Sequence, residues 1–330
     1  MKEYLLAIQA GQTFTRKEAS AVMTTMLDGT ATPEQIAAAL FGLSVRGETT
    51  EEVLGFIDVL RARMQPLAVP AAVLDTCGTG GDGRKTFNIS TATALVCAAI
   101  GVPVVKHGNV AISSQSGSAD CLAALHISTQ LTGEAAATYL AEHHFVFAFA
   151  PLYHPALKTL GPVRKALGVR TIFNFLGLVL NPAQPRFQLI GVSDISKAEL
   201  LGTVLLRNGA EHVVLVHSDD GLDEVSIAAP TTVFDFTSAG IKQFTIQPRS
   251  APDGTPFRLD DIVVASAQAS AEVVRQVADG QASAAACYAV ALNAGLALYA
   301  ANRVPDYETG VQQVEALLDS GKFATYLESL

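Results

Sequence analysis

The sequence predicts an α/β protein in which a helical N-terminal part precedes a larger part built from βα units. Before residue 66, Thr-x-x-Glu/Gln boxes begin at Thr15, Thr32 and Thr49, and each would satisfy free backbone N–H groups at the start of a helix. After Pro70, short β-rich runs alternate with alanine-rich helical stretches. That alternation is typical of a sheet covered by helices.

Six short runs after residue 70 are predicted as strands, and the chain is predicted to end in helices from about residue 270 to residue 330. Residues 91–100 are predicted as a helix in the first βα unit. Neither a repeat nor a low-complexity linker divides the chain. The predicted strands are residues 72–75, 102–105, 145–149, 187–192, 212–217 and 231–236.

Composition and charge exclude several classes of protein. The 330 residues are 49% hydrophobic and 16% charged, which fits a compact globular chain rather than a disordered one. The net charge of −9 argues against broad nucleic-acid or membrane-surface binding, because both partners select basic faces. The four cysteines form no Cys-x-x-Cys pair, so neither a zinc site nor a disulfide framework is expected.

Two segments raise the question of a membrane. The N-terminal apolar run is too short for a secretion signal, so the cytoplasm is the expected compartment. The stretch from Ala284 to Ala301 carries no charge, but it is alanine-rich and contains Asn293 and Gly295. It is therefore predicted to be a buried helix rather than a membrane span.

A glycine-rich turn at residues 78–83 follows a predicted strand and precedes a predicted helix. Backbone N–H groups in such a turn, with the positive end of the next helix, form a site for phosphate or diphosphate. The turn also matches the dinucleotide fingerprint, which requires an acidic residue about 20 positions later. No Asp or Glu occurs between Asp82 and Asp120. The pattern thus favours a phosphorylated ligand over a nicotinamide cofactor, while a purely structural turn stays open.

A second polar segment, residues 104–120, ends a predicted strand with Lys106, His107 and Asn109. Side chains at the carboxyl ends of parallel strands line the ligand crevice of an open α/β sheet. Lys106 would supply a point charge for phosphate. Directional hydrogen-bond donors would come from the hydroxyls of Ser113, Ser114, Ser116 and Ser118. The alternative is a solvated serine loop.

An acidic turn at residues 219–224 follows the predicted strand 212–217. Asp223 and Glu224 could hold Mg²⁺, which proteins often bind with one or two carboxylates, water and substrate phosphates. By itself, an acidic turn is more often a solvated surface. The metal hypothesis therefore depends on a diphosphate pocket close by.

These motifs occur in the order found in the anthranilate phosphoribosyltransferases, which the chain resembles over nearly its whole length. So many short matches in a single order make the resemblance specific. The matching stretches are residues 78–83, 88–91, 106–109, 116–120, 154–156, 162–164, 168–174, 181–183 and 221–224.

The resemblance implies a small N-terminal helical domain and a larger α/β domain with a central, mostly parallel sheet. Residues 1–70, with a hinge-linked stretch near 164–186, would form the helical domain and mediate a homodimer. Residues 71–163 and 187–330 would form the domain that binds phosphoribosyl diphosphate. The implied reaction transfers the phosphoribosyl group of 5-phosphoribosyl-1-diphosphate to anthranilate, in tryptophan biosynthesis.

The resemblance also implies roles for residues at matching positions. Ser90, Asp223 and Glu224 would coordinate Mg²⁺. His107, Asn109 and Arg164 would face the aromatic acid and, with Lys106, are the candidate catalytic residues. An arginine fork suits a carboxylate, although an exposed helix charge at Arg164 and a core role for His107 stay open. The implied donor-binding residues are Gly78, Gly81, Asp82, Thr86, Asn88, Ser90, Thr91, Lys106 and Ser118.

The chain departs from the family pattern near the expected substrates. Val110 and Gln115 replace an arginine and a lysine, and Gly177-Leu178-Val179 replaces Gly-Pro-Leu. The resemblance therefore constrains the donor more closely than the acceptor. Three alternatives stay open: a paralogue that uses another aromatic amine, a noncatalytic member that binds nucleic acid or a partner, and a nucleoside phosphorylase.

Overall fold

Four helices form the N-terminal part of the chain, in a computed structural model that describes residues 1–69, 72–110, 116–251 and 253–330. They are α1 (Lys2–Gln9), α2 (Arg16–Leu27), α3 (Pro33–Arg46) and α4 (Thr50–Ala62). The three predicted capping boxes are confirmed: Thr15, Thr32 and Thr49 each accept a hydrogen bond from the backbone three residues on. Local sequence thus sets where α2, α3 and α4 begin.

A seven-stranded sheet forms the centre of the larger part, in the order β3-β2-β1-β4-β5-β6-β7. Neighbouring strands from β3 to β5 pair in parallel, and β6 and β7 are added in antiparallel fashion. The predicted fold class, a small helical part with a larger α/β part and a mostly parallel sheet, is confirmed. The strands are β1 (Leu74–Gly78), β2 (Val104–Gly108), β3 (Phe145–Phe149), β4 (Phe187–Gly191), β5 (His212–Ser218), β6 (Thr231–Thr237) and β7 (Gly240–Ile246).

The remaining α-helices connect the strands or close the chain. They are α5 (Ile89–Ala99), α6 (Ser118–Ala124), α7 (Gly133–His143), α8 (Ala150–Tyr153), α9 (Gly161–Leu167), α10 (Phe173–Val179), α11 (Ala198–Arg207), α12 (Ala267–Ala278), α13 (Ala284–Ala300), α14 (Tyr307–Asp319) and α15 (Lys322–Glu328). Short 3₁₀ helices span Pro155–Leu160, Ile195–Lys197 and Leu259–Ile262.

The uncharged helix α13 is buried, as the sequence predicts. Its side chains belong to the core formed with α5 and the sheet, and Asn293 is satisfied there by hydrogen bonds to the backbone of Val225. Within the described parts of the chain, no helix has both the length and the apolar character needed to cross a bilayer.

Both faces of the parallel part of the sheet are covered, and alternate residues of one strand belong to different cores. On β5, Val214 and Val216 pack with α5 and the C-terminal helices, whereas Val213 and Leu215 pack on the opposite face. The period of two in a strand explains this division. The second core is continuous from α1–α4 through α9, α10 and α11. The N-terminal helices therefore lie against the same face of the sheet as the 160–180 segment.

The strand order determines where a ligand crevice forms. The chain passes from β1 to β2 on one side of the sheet and later returns to β4 on the other side of β1. Ligands of open α/β sheets bind outside the carboxyl ends of the strands at such a switch point. Those ends are Gly78 of β1, Gly108 of β2 and Gly191 of β4, and each is a glycine.

Candidate active site

The glycine-rich turn after β1 is in direct contact with the acidic turn after β5. The Gly80 amide donates a 2.6 Å hydrogen bond to Asp223 Oδ2. A Cβ atom at Gly78 would lie 2.6 Å from the same oxygen, and one at Gly191 would lie 1.5 Å from the Asp223 carbonyl oxygen. Glycine is therefore required at both strand ends, because any side chain would displace the acidic turn.

One cleft of about 940 Å³ runs past these turns and past the ends of β1 and β2. Its lining is rich in cations although the whole chain is acidic, which suits an anionic ligand. Positive charges in the lining come from Lys85, Lys106, Lys158, Arg164 and Arg170, and negative charges from Asp82, Asp223 and Glu224.

Lys106 is held rigidly at the end of β2. Its side chain is only 1% exposed, and its Nζ donates to the Thr76 carbonyl and, at 3.1 Å, to Ser90 Oγ. The ammonium therefore lies between β1 and the start of α5, the helix that follows the glycine-rich turn. A fixed charge at this place favours a ligand with negative oxygens.

Behind Lys106, a buried carboxylate fixes the end of β2. Asp75 accepts hydrogen bonds from the His107 amide at 3.2 Å and from Asn181 Nδ2 at 2.8 Å, and Asn181 also reaches the Val105 carbonyl. Burial raises the pKa of Asp75 to about 6, against the opposing effect of the Lys106 charge. Asp75 and Asn181 were assigned no role from the sequence. They nevertheless fix the end of β2, from which Lys106 and His107 enter the cleft.

Within the acidic turn Asp219 is exposed, but Asp223 is buried, which corrects the solvated-surface alternative for that carboxylate. Asp223 is 8% exposed. Burial, followed by the neighbouring Asp82, raises the pKa of Asp223 to about 7, and burial with the Asp223 charge raises the pKa of Glu224 to about 8. The Ser90 backbone N–H opposes this rise in the pKa of Glu224.

These carboxylates fit a divalent cation that substrate oxygens help to bind. Crowded buried carboxylates gain stability when a cation offsets their mutual repulsion. Within the described ranges, no group of three or more His, Cys, Asp or Glu side chains is arranged to hold a metal alone. Two carboxylates with substrate oxygens completing the shell match the preference of Mg²⁺.

Two neutral imidazoles lie side by side in the cleft. The His107 and His154 ring centroids are 5.1 Å apart, and the Nε2 atoms of both rings are buried with no hydrogen-bond partner among the described residues. Burial lowers the pKa of His107 to about 3 and that of His154 to about 4. His107 Nδ1 lies 2.9 Å from the Gly177 carbonyl, which assigns the proton to Nδ1 and leaves Nε2 as an acceptor.

Arg164 on α9 lies at the same end of the cleft. Its guanidinium lies over the Phe173 ring, 5.0 Å from the centroid, and burial lowers its pKa. No carboxylate of the described chain pairs with it. Apolar side chains complete this end of the cleft: Leu157, Leu176, Leu178 and Leu180.

Most of the predicted site residues line this cleft. Asn88 lines it as well, but its Oδ1 already accepts hydrogen bonds from Ser116 and Ser270 at 2.6 and 2.7 Å. Its side chain therefore ties the serine segment to α12. The predicted residues in the lining are Gly78, Gly81, Asp82, Thr86, Asn88, Ser90, Lys106, His107, Asn109, Ser118, Arg164, Asp223 and Glu224.

Two of the predicted site residues, Thr91 and Ser114, are not among the lining residues of the cleft. Thr91 is fully buried and does not line the cleft, because successive helical residues point about 100° apart and Ser90 takes the cleft side. Thr91 Oγ1 is buried with no hydrogen-bond partner among the described residues, and its contact with a ligand stays a prediction. Ser114, with Ser113 and Gln115, lies outside the described residues.

Several residues of the cleft were assigned no role from the sequence, among them His154, Lys158 and Arg170. His154 belongs to the matching stretch 154–156, so its signal was present in the motif. Arg170 lies in the stretch 168–174. No sequence pattern indicated Lys158, and its place in the cleft is evident only from the fold.

Comparisons with known families and proteins agree with this geometry. Residues 2–64 match the helical bundle domain of a glycosyl transferase family, and residues 70–324 match the α/β domain of a glycosyl transferase family. Anthranilate phosphoribosyltransferase of Geobacillus sp. (strain WCH70) is 44% identical over 329 residues, which cover 100% of this chain and 97% of the relative. The Bacillus subtilis (strain 168) protein of the same name is 39% identical over 330 residues, covering 100% and 97%.

Solved structures share the fold. The crystal structure of anthranilate phosphoribosyltransferase from Thermus thermophilus has a TM-score of 0.88 and 34% identity, over 99% of this chain and 97% of that chain. The Saccharomyces cerevisiae protein, solved in complex with PRPP and Mg, has a TM-score of 0.84 and 22% identity, over 99% and 95%. At that lower identity, the yeast structure supports the fold alone.

Proposed function

The chain belongs to the anthranilate phosphoribosyltransferase family of glycosyl transferases, and we propose that its central cleft transfers the phosphoribosyl group of 5-phosphoribosyl-1-diphosphate to anthranilate. The products are N-(5-phosphoribosyl)anthranilate and diphosphate. The observation that carries this conclusion is the 2.6 Å contact between Gly80 and Asp223, which unites the glycine turn and the acidic turn in one site.

The donor is proposed to bind at the end of the cleft formed by the glycine turn, Lys106 and the start of α5. Backbone N–H groups of the turn and the Lys106 ammonium can hold phosphate and diphosphate oxygens, and they need no reorganisation during the reaction. The buried position of Lys106 supports this role, because its charge lacks water to screen it. The proposed donor-binding residues are Gly78, Gly81, Asp82, Thr86, Asn88, Ser90, Lys106 and Ser118.

Ser90, Asp223 and Glu224 are the proposed Mg²⁺-binding residues. The raised pKa values of the two carboxylates support a cation there. When bound, Mg²⁺ would neutralise negative charge on the diphosphate. Asp223 has a second task, because the same carboxylate holds the Gly80 amide and so shapes the turn.

Anthranilate is proposed to bind at the other end, with its carboxylate on Arg164 and its amine toward the two imidazoles. The Arg164 fork can make two parallel hydrogen bonds to a carboxylate, which a lysine cannot. Nε2 of His107 is an acceptor without a partner, so it can orient an amine N–H. His154 adds a similar unpartnered Nε2, and Asn109 completes the polar lining.

The chemistry follows from these positions. The amine nitrogen attacks the anomeric carbon as the bond to the diphosphate oxygen breaks, and positive charge builds on the ribose as in glycoside cleavage. Lys106 and the turn amides stabilise the negative leaving group. The amine attacks as a neutral group and loses one N–H proton after the new bond forms. Since the cationic amine is then acidic, weak bases such as His107 and His154 suffice, and positioning supplies most of the catalysis.

The domain division is proposed to be residues 1–70 with the stretch near 164–186, against 71–163 and 187–330. The packing of α9 and α10 in one core with α1–α4 supports grouping the 164–186 stretch with residues 1–70, and the same core continues into α11 and the sheet. The helical part is also proposed to form a homodimer, because large apolar side chains are exposed there: Leu6 by 54%, Phe41 by 50% and Val45 by 71%.

Four free cysteines support a reducing compartment such as the cytoplasm.

Anthranilate fluorescence tests the function directly. We expect the purified protein to consume anthranilate only when phosphoribosyl diphosphate is present, to depend on Mg²⁺, and to release one diphosphate per anthranilate. A panel of other aromatic amines addresses the paralogue, which would react faster with one of them. Base release that requires inorganic phosphate would instead identify a nucleoside phosphorylase, and absence of turnover with every acceptor would favour a noncatalytic role.

A further inference from the structure

Arg170, between α9 and α10, connects the donor turn to the acceptor end of the cleft. Its Nη2 donates to the Gly81 carbonyl at 2.7 Å, and its Nη1 donates to Ser193 Oγ at 2.8 Å. Gly81 belongs to the turn after β1, and Ser193 follows β4. A single guanidinium therefore joins three segments that are distant in sequence, in the fixed fork geometry that arginine provides.

Three consecutive residues of the donor turn are each held by a different element. Thr79 Oγ1 hydrogen-bonds to the backbone and side chain of Ser193 at 3.0 Å, Gly80 is held by Asp223, and Gly81 is held by Arg170. A Cβ at Gly81 would lie 2.8 Å from Arg170 Nη2, so the arginine also occupies the space beside the turn. The shape of the turn thus depends on where the 168–174 segment lies.

The same segment carries the acceptor side of the site. The Phe173 ring, three residues after Arg170, lies beneath the Arg164 guanidinium. The segment is internally tied, because the Thr171 amide donates to Asn174 Oδ1 at 2.9 Å and the Gly168 amide donates to the Arg164 carbonyl at 3.2 Å. The Gly81 carbonyl is thus connected through Arg170 to the segment that carries Phe173, and through Phe173 to Arg164.

We propose that Arg170 is a positioning residue that couples the two substrate subsites, so that diphosphate oxygens bound at the turn increase the affinity for the aromatic acid. This inference rests on the proposed function. The physical reason is that a ligand which orders the turn also orders the segment bonded to it, and the second ligand then loses less conformational freedom on binding.

Equilibrium binding of anthranilate, with and without diphosphate at saturating Mg²⁺, tests the proposal without any reaction. We expect diphosphate to strengthen anthranilate binding by about fivefold or more, the lower range for coupled sites. Arg170→Ala should bring that factor close to one. Arg170→Lys, which can replace only one of the two hydrogen bonds, should retain part of it.

Arg186→Ala is the matched control, because Arg186 is another exposed arginine, paired with Glu211 at 2.7 Å, outside the cleft lining. It should keep the full coupling factor. The proposal is overturned if wild-type protein shows no coupling, or if Arg170→Ala keeps the factor unchanged. It is also overturned if Arg170→Ala weakens the binding of diphosphate measured without anthranilate, since Arg170 would then be a phosphate ligand. A wild-type protein that does not convert anthranilate and phosphoribosyl diphosphate would instead refute the proposed function.

Discussion

The Gly80 amide donates a hydrogen bond to the Asp223 carboxylate across 143 positions of sequence. This bond connects the turn after β1 with the turn after β5. It requires glycine at Gly78 and Gly191, because Asp223 occupies the space that a side chain would take. A diphosphate held by the glycine turn, as proposed, would therefore lie beside the carboxylates that could share a cation with it.

Arg164→Ala should chiefly weaken the binding of the aromatic acid. A charged hydrogen bond contributes about 1.5–3 kcal/mol, so we expect KM for anthranilate to rise about 10–100-fold. Steady-state kinetics with each substrate varied in turn measures this. Arg164→Lys should rescue little, because it lacks the planar fork. A change confined to KM of the phosphoribosyl donor would show that the assignment is wrong.

The two neutral imidazoles should make folding stability depend on pH in the acid range. Burial lowers the pKa of His107 to about 3 and of His154 to about 4, whereas the unfolded value is about 6.5. Between these pKa values the unfolded chain binds more protons than the folded chain. The contribution of the two histidines to the free energy of unfolding is therefore complete above about pH 6.5 and is lost as the pH falls.

Thermal unfolding from pH 7 to pH 4 measures this dependence. The double variant His107→Gln, His154→Gln should have a shallower loss of Tm with falling pH than the wild type. The control His126→Gln should keep the wild-type slope, because His126 is exposed. Equal slopes in all three proteins would contradict the assignment of two buried neutral rings.

Gly191→Ala should damage the donor site from a position that cannot itself contact a phosphate through a side chain. The new Cβ would lie 1.5 Å from the Asp223 carbonyl oxygen, so the acidic turn must shift. A displacement of about 1 Å can cost about 100-fold in rate, and we expect a loss of that order in kcat/KM for the donor. Gly161→Ala, where a Cβ meets open space, is the control that should stay near wild type.

The exposed apolar side chains on α1 and α3 should mediate self-association. Phe41→Glu with Val45→Glu would place charges within that interface, so we expect the mass measured by light scattering to fall from dimer to monomer. Ile241→Glu changes a residue of similar exposure, 49%, on β7 and should leave the dimer intact. A wild-type protein that is monomeric at every concentration would refute the interface.

Local signals in the sequence were sufficient for most of the fold. The three capping boxes set the starts of α2, α3 and α4, and the predicted strand 145–149 coincides with β3. Strand β7 was missed because most of its residues are exposed on an edge strand and show no alternation of apolar and polar residues. Its place depends on antiparallel pairing with β6, which is a tertiary feature.

The site was less accessible to sequence reasoning where a role depends on packing. The glycine-rich turn after β1 and Lys106 at the end of β2 could be predicted, since a turn after a strand is a local pattern. Gly191 could not, because its requirement comes from Asp223, which is remote in sequence. Asp75 had no signal, and Asn181 had only its place in the matching stretch 181–183, since a buried carboxylate and its amide partner are recognised as a pair only once they are in contact.

The Mg²⁺ dependence of donor binding tests the central claim most directly. Calorimetric titration of phosphoribosyl diphosphate should show tighter binding as Mg²⁺ rises in the wild-type protein, because both ligands share the site. In Asp223→Asn with Glu224→Gln, that gain should fall by about tenfold or more, with slower turnover at limiting Mg²⁺. An equal gain in the variant and the wild type would mean that the acidic turn and the glycine turn do not form one metal-assisted site.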